Sequence, residues 1–280
     1  MRKIVLSISA AAALFIGIHT TQAQVKLPPA SSTTTITQGV GINNISLTYQ
    51  RPNIKGRQVF GELVPYNEVW RTGANNIPNI TFEEEVTIEG NKVPAGTYGI
   101  FTIPTASTWT IVLSKNPKQW GSYQYKSEDD LLRFTVPTQK LANKVETFTM
   151  NFEDVTPNSA ELTLAWDQTK VGFTITVDQT KAIMSSIEEA MKAEKKPYFQ
   201  AAQYYFNNNL DIKKSAEWIK QADEGNTQAP HIKYWKSRIL AKSGDKAGAK
   251  QAASEGIELA KKANNGEYIK LNTQALSEIK

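Results

Sequence analysis

Arg51, Lys55, Arg57 and Arg71 crowd four cations into one stretch of the chain in which Glu62 and Glu68 are the only acids. A guanidinium is a planar fork that meets a carboxylate or phosphate through two parallel hydrogen bonds. Trp70, Trp120 and Tyr123 add flat faces of the kind that stack on sugars or on guanidinium groups. Arg71 leads directly into Thr72-Gly73-Ala74-Asn75, where Gly73 and Asn75 tolerate positive φ, so backbone N–H groups can turn inward as an anion nest. Arg51, Lys55, Arg57, Trp70, Arg71, Asn75, Trp120 and Tyr123 therefore describe a basic, aromatic-edged cleft for an anionic or sugar-like ligand.

The same residues have a structural reading. Arg71 can pair with Glu62, Glu68 or Glu84 and hold sheet edges in register, while Trp70 fills a core as tryptophan often does in a sandwich. The Gly-Ala-Asn corner is then only a turn, and the protein an accessory without a ligand. A third reading is an envelope hydrolase, since glycosidase chemistry asks for two carboxylates about 5–10 Å apart across a cleft. Glu62, Glu68 and Glu84 are the acids close enough in sequence to serve. Residue types alone leave the three open.

Other chemistries are nearly excluded. The chain has no cysteine and two histidines, His19 and His231. A multi-histidine zinc site or a Cys–His pair cannot be assembled from that inventory, and any serine triad would need His231. No P-loop, dinucleotide fingerprint or GxSxG elbow is present, and no metal or cofactor is expected. The acidic runs Glu128-Asp129-Asp130 and Glu153-Asp154 read as solvated turns more readily than as calcium ligands. His231, following Pro230, reads as a solvent-facing residue at a helix start. The net charge of +5 is too small to argue for nucleic acid.

The N-terminus reads as a secretory signal. Arg2 and Lys3 precede an apolar run from Ile4 to Ile18, and Thr21-Gln22-Ala23 offers a small-residue cleavage site. The run is shorter than the ~20 residues of a membrane-spanning helix. An exported protein of the periplasm or medium is expected, with no membrane span after cleavage. Without cysteine it carries no lipid anchor.

Those side chains need a scaffold, and the patterning implies two. Residues 24–35 read as a polar lead-in after a signal over 1–23. From 36 to 178, apolar and polar residues alternate: Ile45, Leu47 and Tyr49; Trp109, Ile111 and Leu113; Phe148, Met150 and Phe152; Leu162, Leu164 and Trp166; Val171, Phe173, Ile175 and Val177. Period-two alternation with regular turns predicts antiparallel strands in a β-sandwich or open barrel. One run breaks the pattern, because Ile80, Phe82, Val86 and Ile88 would share a face with Glu84, which predicts a bulge or an edge.

Residues 179–280 read as helices. MSSIEEAMKAEKKP forms one that Pro197 stops, and two helical hairpins follow, with turns at Asp211 and Asp245. At that 34-residue offset Ser215, Ile219 and Ala222 match Ala249, Ala253 and Gly256. A helix–turn–helix period of this length is a tetratricopeptide signature, here degenerate. A final helix with Tyr268, Leu271, Ala275 and Ile279 caps the stack, and the tail offers a groove for a protein partner.

Four phrases of the β region are familiar together: YQRPNIKGRQVFGELVPYNEVWRTGAN, VPAGTYGIFTIP, WTIVLSKNPKQWGSY and LLRFTV. They resemble the domain-of-unknown-function family DUF2911, common in exported Bacteroidetes proteins and often followed by a tetratricopeptide-like tail. Asn67 stands where the family usually has glycine before the Val-Trp-Arg phrase. The resemblance implies a neighbourhood and no chemistry.

Overall fold

The computed structural model describes residues 27–279. The chain divides into two compact units between Val177 and Asp178. The expected signal peptide lies outside the described residues.

Among its described residues the first unit contains ten strands: β1 (Ser32–Val40), β2 (Asn43–Arg51), β3 (Asn79–Phe82), β4 (Val86–Ile88), β5 (Asn91–Val93), β6 (Gly96–Pro104), β7 (Thr108–Ser114), β8 (Asp130–Pro137), β9 (Gln139–Glu153) and β10 (Ser159–Thr176). They form a six-stranded sheet in the order β1-β2-β3-β6-β7-β8 and a four-stranded sheet in the order β5-β4-β10-β9. Every strand pairing is antiparallel. The alternating residues of both sheets meet in one core, in which Leu47, Ile80, Ile100 and Leu113 face the side of Met150, Leu164, Phe173 and Ile175. Each such side chain contributes roughly 1.5–3 kcal/mol on leaving water. Of the two expected all-β architectures, the sandwich is the one formed.

Three details depart from the sequence pattern. First, β1 begins at Ser32, inside the expected lead-in. Its threonines suit an edge strand that needs only one partner: Thr35 and Thr37 hydroxyls lie 2.9 and 3.3 Å from those of Thr48 and Ser46. Second, no bulge absorbs Glu84. β3 and β4 belong to different sheets, and Glu83-Glu84-Glu85 is the crossover between them, so Phe82 and Val86 are both buried without sharing a strand. Third, β6 and β7 are buried on both faces. Phe101 and Val112 point away from the main core and pack with Ile77 under the loops that precede β3 and follow β7. Gly99 allows that cover, since a Cβ there would meet Ile77 Cδ1 at 2.3 Å.

The second unit is six helices: α1 (Thr180–Ala190), α2 (Tyr198–Asn207), α3 (Ile212–Gly225), α4 (Pro230–Ser243), α5 (Lys246–Lys262) and α6 (Gly266–Glu278). α1 ends well before Pro197, which instead stands at the N-cap of α2. No residue of α1 is fully buried, so packing does not prolong it. The equivalent aspartates are N-caps: Asp211 accepts from the backbone N–H of Lys213 and Lys214, and Asp245 from that of Gly248. Small residues set the helix spacing. Ser215 Oγ donates to the Ala202 carbonyl at 2.8 Å, and a Cβ on Gly256 would strike Asn272. Ile219, Ile239, Leu240 and Ala249 close the core. Among the described residues no helix is long and apolar enough to cross a membrane.

Candidate functional site

Trp70 is where core becomes cleft. Its backbone pairs with β6, donating to Thr102 O at 2.8 Å and accepting from Thr102 N at 3.0 Å. Its half-buried ring stacks on Trp166 at 5.8 Å and 11°, and meets Trp109 and Phe148 edge-on at 5.9 and 5.4 Å. Such pairs add about 0.5–1.5 kcal/mol each beyond burial.

The chain then turns through a strained corner. Thr72 is β-branched, fully buried and at φ +56, and Asn75 is at +54. Left-handed backbone at such a residue costs on the order of 1–3 kcal/mol and persists only when the surroundings enforce it. Here the Thr72 hydroxyl reaches Thr102 Oγ1 at 3.1 Å and the Trp70 carbonyl at 3.3 Å. Between them Gly73, at φ +138, lies so close to β2 that a Cβ would stand 2.9 Å from Gln50 O.

The corner presents Arg71. Its one hydrogen bond among the described residues is a long one, from Nε to the Gly73 carbonyl at 3.4 Å. It forms no ion pair among those residues. Glu62 and Glu68 are exposed, and Glu84 belongs to the β3–β4 crossover. The expected structural pairing of Arg71 with one of these acids is therefore not formed.

Arg71 lines a cleft of about 640 Å³ with Lys55, Arg57, Trp70, Asn75 and Trp166. Among the described residues three cations line it against a single acid, Glu68. The rim carrying Lys55 and Arg57 is tied to β9: Ile54 N–H donates to the Glu146 carbonyl at 2.9 Å and Lys55 N–H to its carboxylate at 2.9 Å. Arg57 spends Nε and one terminal nitrogen on the carbonyls of Ile54 and Asn53, at 2.9 and 2.6 Å, which orients its guanidinium.

The other residues expected at the site lie elsewhere. Arg51 does not line the cleft; it ties β2 to β9, donating to Phe148 O at 3.1 Å and to Thr149 Oγ1 at 2.8 Å. Trp120 and Tyr123 stand outside it on the loop between β7 and β8, with 60% and 78% of their surface exposed and their rings stacked at 5.9 Å and 24°. Of the acids proposed for hydrolysis, only Glu68 lines the cleft. Trp166 was legible as core and not as a cleft wall. Its one signal is that it ends the apolar alternation immediately before Asp167 and Gln168.

The remaining sequence candidates resolve structurally. Asp130 binds Arg133 and accepts from the Tyr125 hydroxyl at 2.8 Å. Burial and that hydrogen bond push the Tyr125 phenol above its ordinary range. Glu153 accepts from Lys170 at 2.7 Å, a bond that holds the carboxyl below the usual glutamate range. His231 is not solvent-facing: it is half-buried against the rings of Phe199 and Tyr268, at 5.3 and 6.1 Å, because α6 packs over the start of α4. Among the described residues no group of three histidines or acids is placed to hold a metal.

A family model described as "Protein of unknown function (DUF2911)" matches residues 31–175, more than half of the chain and most of the β unit. Neither a curated protein nor a solved structure matches.

Proposed function

We propose, for a chain that belongs to the DUF2911 family, that the β unit is a binding module whose cleft takes an anionic group at Arg71. The observation that carries this is an arginine on a cleft wall with no carboxylate partner among the described residues, beside a corner in which Thr72 is held at positive φ by its hydrogen bond to Thr102 and Gly73 leaves no room for a side chain against Gln50. A buried or half-buried guanidinium with spare donors gains most from a ligand that accepts two parallel hydrogen bonds. Lys55 and Arg57 reinforce the positive field, and the Trp70 and Trp166 rings supply an apolar wall. One lining carboxylate does not make the pair that glycosidase chemistry uses, so the reading is of binding and not hydrolysis.

The helical unit is read as tetratricopeptide-like and as a surface for a protein partner, on the strength of two hairpins with N-cap aspartates at the same offset. Export to the periplasm or medium, as a protein without a lipid anchor, is part of the same proposal and rests on the N-terminal sequence pattern.

The test is calorimetric titration of the full chain with inorganic phosphate and with glucuronate. Uptake of either, lost in Arg71→Ala and weakened in Arg71→Lys, is the expected result. A wild-type protein that binds neither anion overturns the reading.

A further inference from the structure

The loop from Pro117 to Tyr123 carries a second cavity of about 490 Å³, lined by Asn76, Asn79, Lys118, Gln119 and Trp120. Three of those side chains are carboxamides, which pair a donor and an acceptor on one plane and match adjacent hydroxyls. Asn79 donates from Nδ2 to Ile77 O at 3.1 Å, leaving its carbonyl oxygen for a donor. Gln119 is 3% exposed and donates from Nε2 to Asn116 O at 3.0 Å, yet its Oε1 has no hydrogen-bond partner among the described residues. A buried acceptor without a donor is costly, and native folds rarely leave one without a reason. Trp120 and Tyr123 stand beside these amides as stacked, exposed rings, although large aromatics ordinarily leave water. Carboxamides beside flat open rings fit the two aspects of a pyranose, hydroxyls at the edge and C–H groups on the face.

The platform adjoins the cleft through Gly121. This residue is buried at φ +72, and its N–H donates to Asn75 O at 2.7 Å. A Cβ added there would lie 2.8 Å from the Tyr123 ring and 3.7 Å from an Arg71 guanidinium nitrogen. The ring and the fork thus flank one point, and the next residue, Ser122, lines the Arg71 cleft.

We infer that the loop is a saccharide platform continuous with the Arg71 cleft, so that the ligand is an oligosaccharide bearing carboxylates. One sugar ring lies on the open face of Trp120, which Tyr123 backs by stacking, with its hydroxyls on Asn76, Asn79 and Gln119, and the acid of a neighbouring unit reaches Arg71. The inference rests on the anion reading of the cleft and adds the chemical class of the ligand.

The experiment is titration of the full chain with a tetragalacturonate, with its carboxyl-reduced neutral counterpart, and with inorganic phosphate. Trp120→Ala is expected to weaken the tetrasaccharide about tenfold, the scale of one lost stacking contact, while phosphate binding is kept. Trp120→Phe is expected to restore most of that loss, which a merely misfolded loop would not allow. Arg71→Ala should lose both tetrasaccharide and phosphate, and the neutral counterpart should bind more weakly than the acid form. If phosphate binding depends on Arg71 while the tetrasaccharide fails to bind or ignores Trp120, the platform is overturned and the anion cleft stands. If the tetrasaccharide depends on Trp120 and not on Arg71, the acid anchor is overturned.

Discussion

Lys233 in α4 and Arg71 at the cleft show two opposite ways of placing a cation. Lys233 is 5% exposed, its Nζ lies 2.9 and 2.7 Å from carboxylate oxygens of Asp223 and Glu255, and Lys236 also donates to Asp223, at 2.6 Å. Burial acts to lower the ammonium's pKa, but the hydrogen bonds to Asp223 and Glu255 outweigh it and hold the group above its ordinary value. Among the described residues Arg71 has one long bond to a backbone carbonyl and no acid partner. A charge removed from water must be compensated within the fold or left with solvent and ligands to compensate it. The helical unit takes the first course at Lys233 and the cleft takes the second at Arg71.

That contrast breaks most visibly at Asp223. Asp223→Ala leaves Lys233 buried with Glu255 alone, and losing one partner of a buried pair costs about 3 kcal/mol, the lower end of the usual range. In a unit of about 100 residues this lowers the melting point by roughly 12 °C. The loss should appear in the helical circular-dichroism signal. A variant whose helices melt with the wild type would remove Lys233 from the comparison.

Gly73→Ala tests whether the corner that presents Arg71 is as constrained as it looks. The new Cβ meets Gln50 O at 2.9 Å in a conformation that favours glycine. Strain of roughly 1–3 kcal/mol moves a unit of about 150 residues by on the order of 5 °C. Thermal melting of the β signal measures it, and an unchanged midpoint means the corner relaxes freely.

Acid sharpens the contrast more gently. The hydrogen bond from Lys233 holds the Glu255 carboxyl below the ordinary glutamate range, against the opposing effect of burial. A depressed carboxyl contributes stability that is present at neutral pH and is lost as the pH falls from the ordinary value through the lower folded one. The helical midpoint should therefore drop by a few degrees across that window, and Glu255→Gln should flatten the drop. Equal slopes in the two proteins would show that Glu255 is not the group responsible.

The smallest expected effect is on the stability of Arg71→Ala, within a few degrees of the wild type. No carboxylate among the described residues is left behind when the guanidinium goes. A fall near 10 °C would reveal a structural role and return Arg71 to the company of Lys233.

Sequence reasoning reached the strands because burial on one face writes a period of two into the chain, and Ile45-Leu47-Tyr49 or Phe148-Met150-Phe152 shows it plainly. It reached the helix turns because a cap needs a side-chain acceptor at a set place, which Asp211 and Asp245 provide. It misread Ile80 to Ile88 because a crossover between sheets and a bulge within one strand both break the period. It started the β region four residues late, at 36, because Ser32 to Thr35 carry no apolar residue, and the first apolar signals of β1 are Ile36 and Val40. At the site, Lys55, Arg57, Trp70, Arg71 and Asn75 were named together and do line one cleft, while Arg51, named with them, went to β9.

The sequence by itself determined an all-β region before an all-helical one, the chemistry available without cysteine, and the Trp70-Arg71 corner as the place to look. Those depend on residue type and on neighbours a few positions away, where periodicity and turn chemistry act. Only the tertiary structure decided that Arg71 has no acid partner among the described residues, that Trp166 backs Trp70, and that Gly121 sets the Tyr123 ring beside the Arg71 fork. Each of these joins residues far apart along the chain, and their approach is set by the packing of sheets and loops, which no local pattern records.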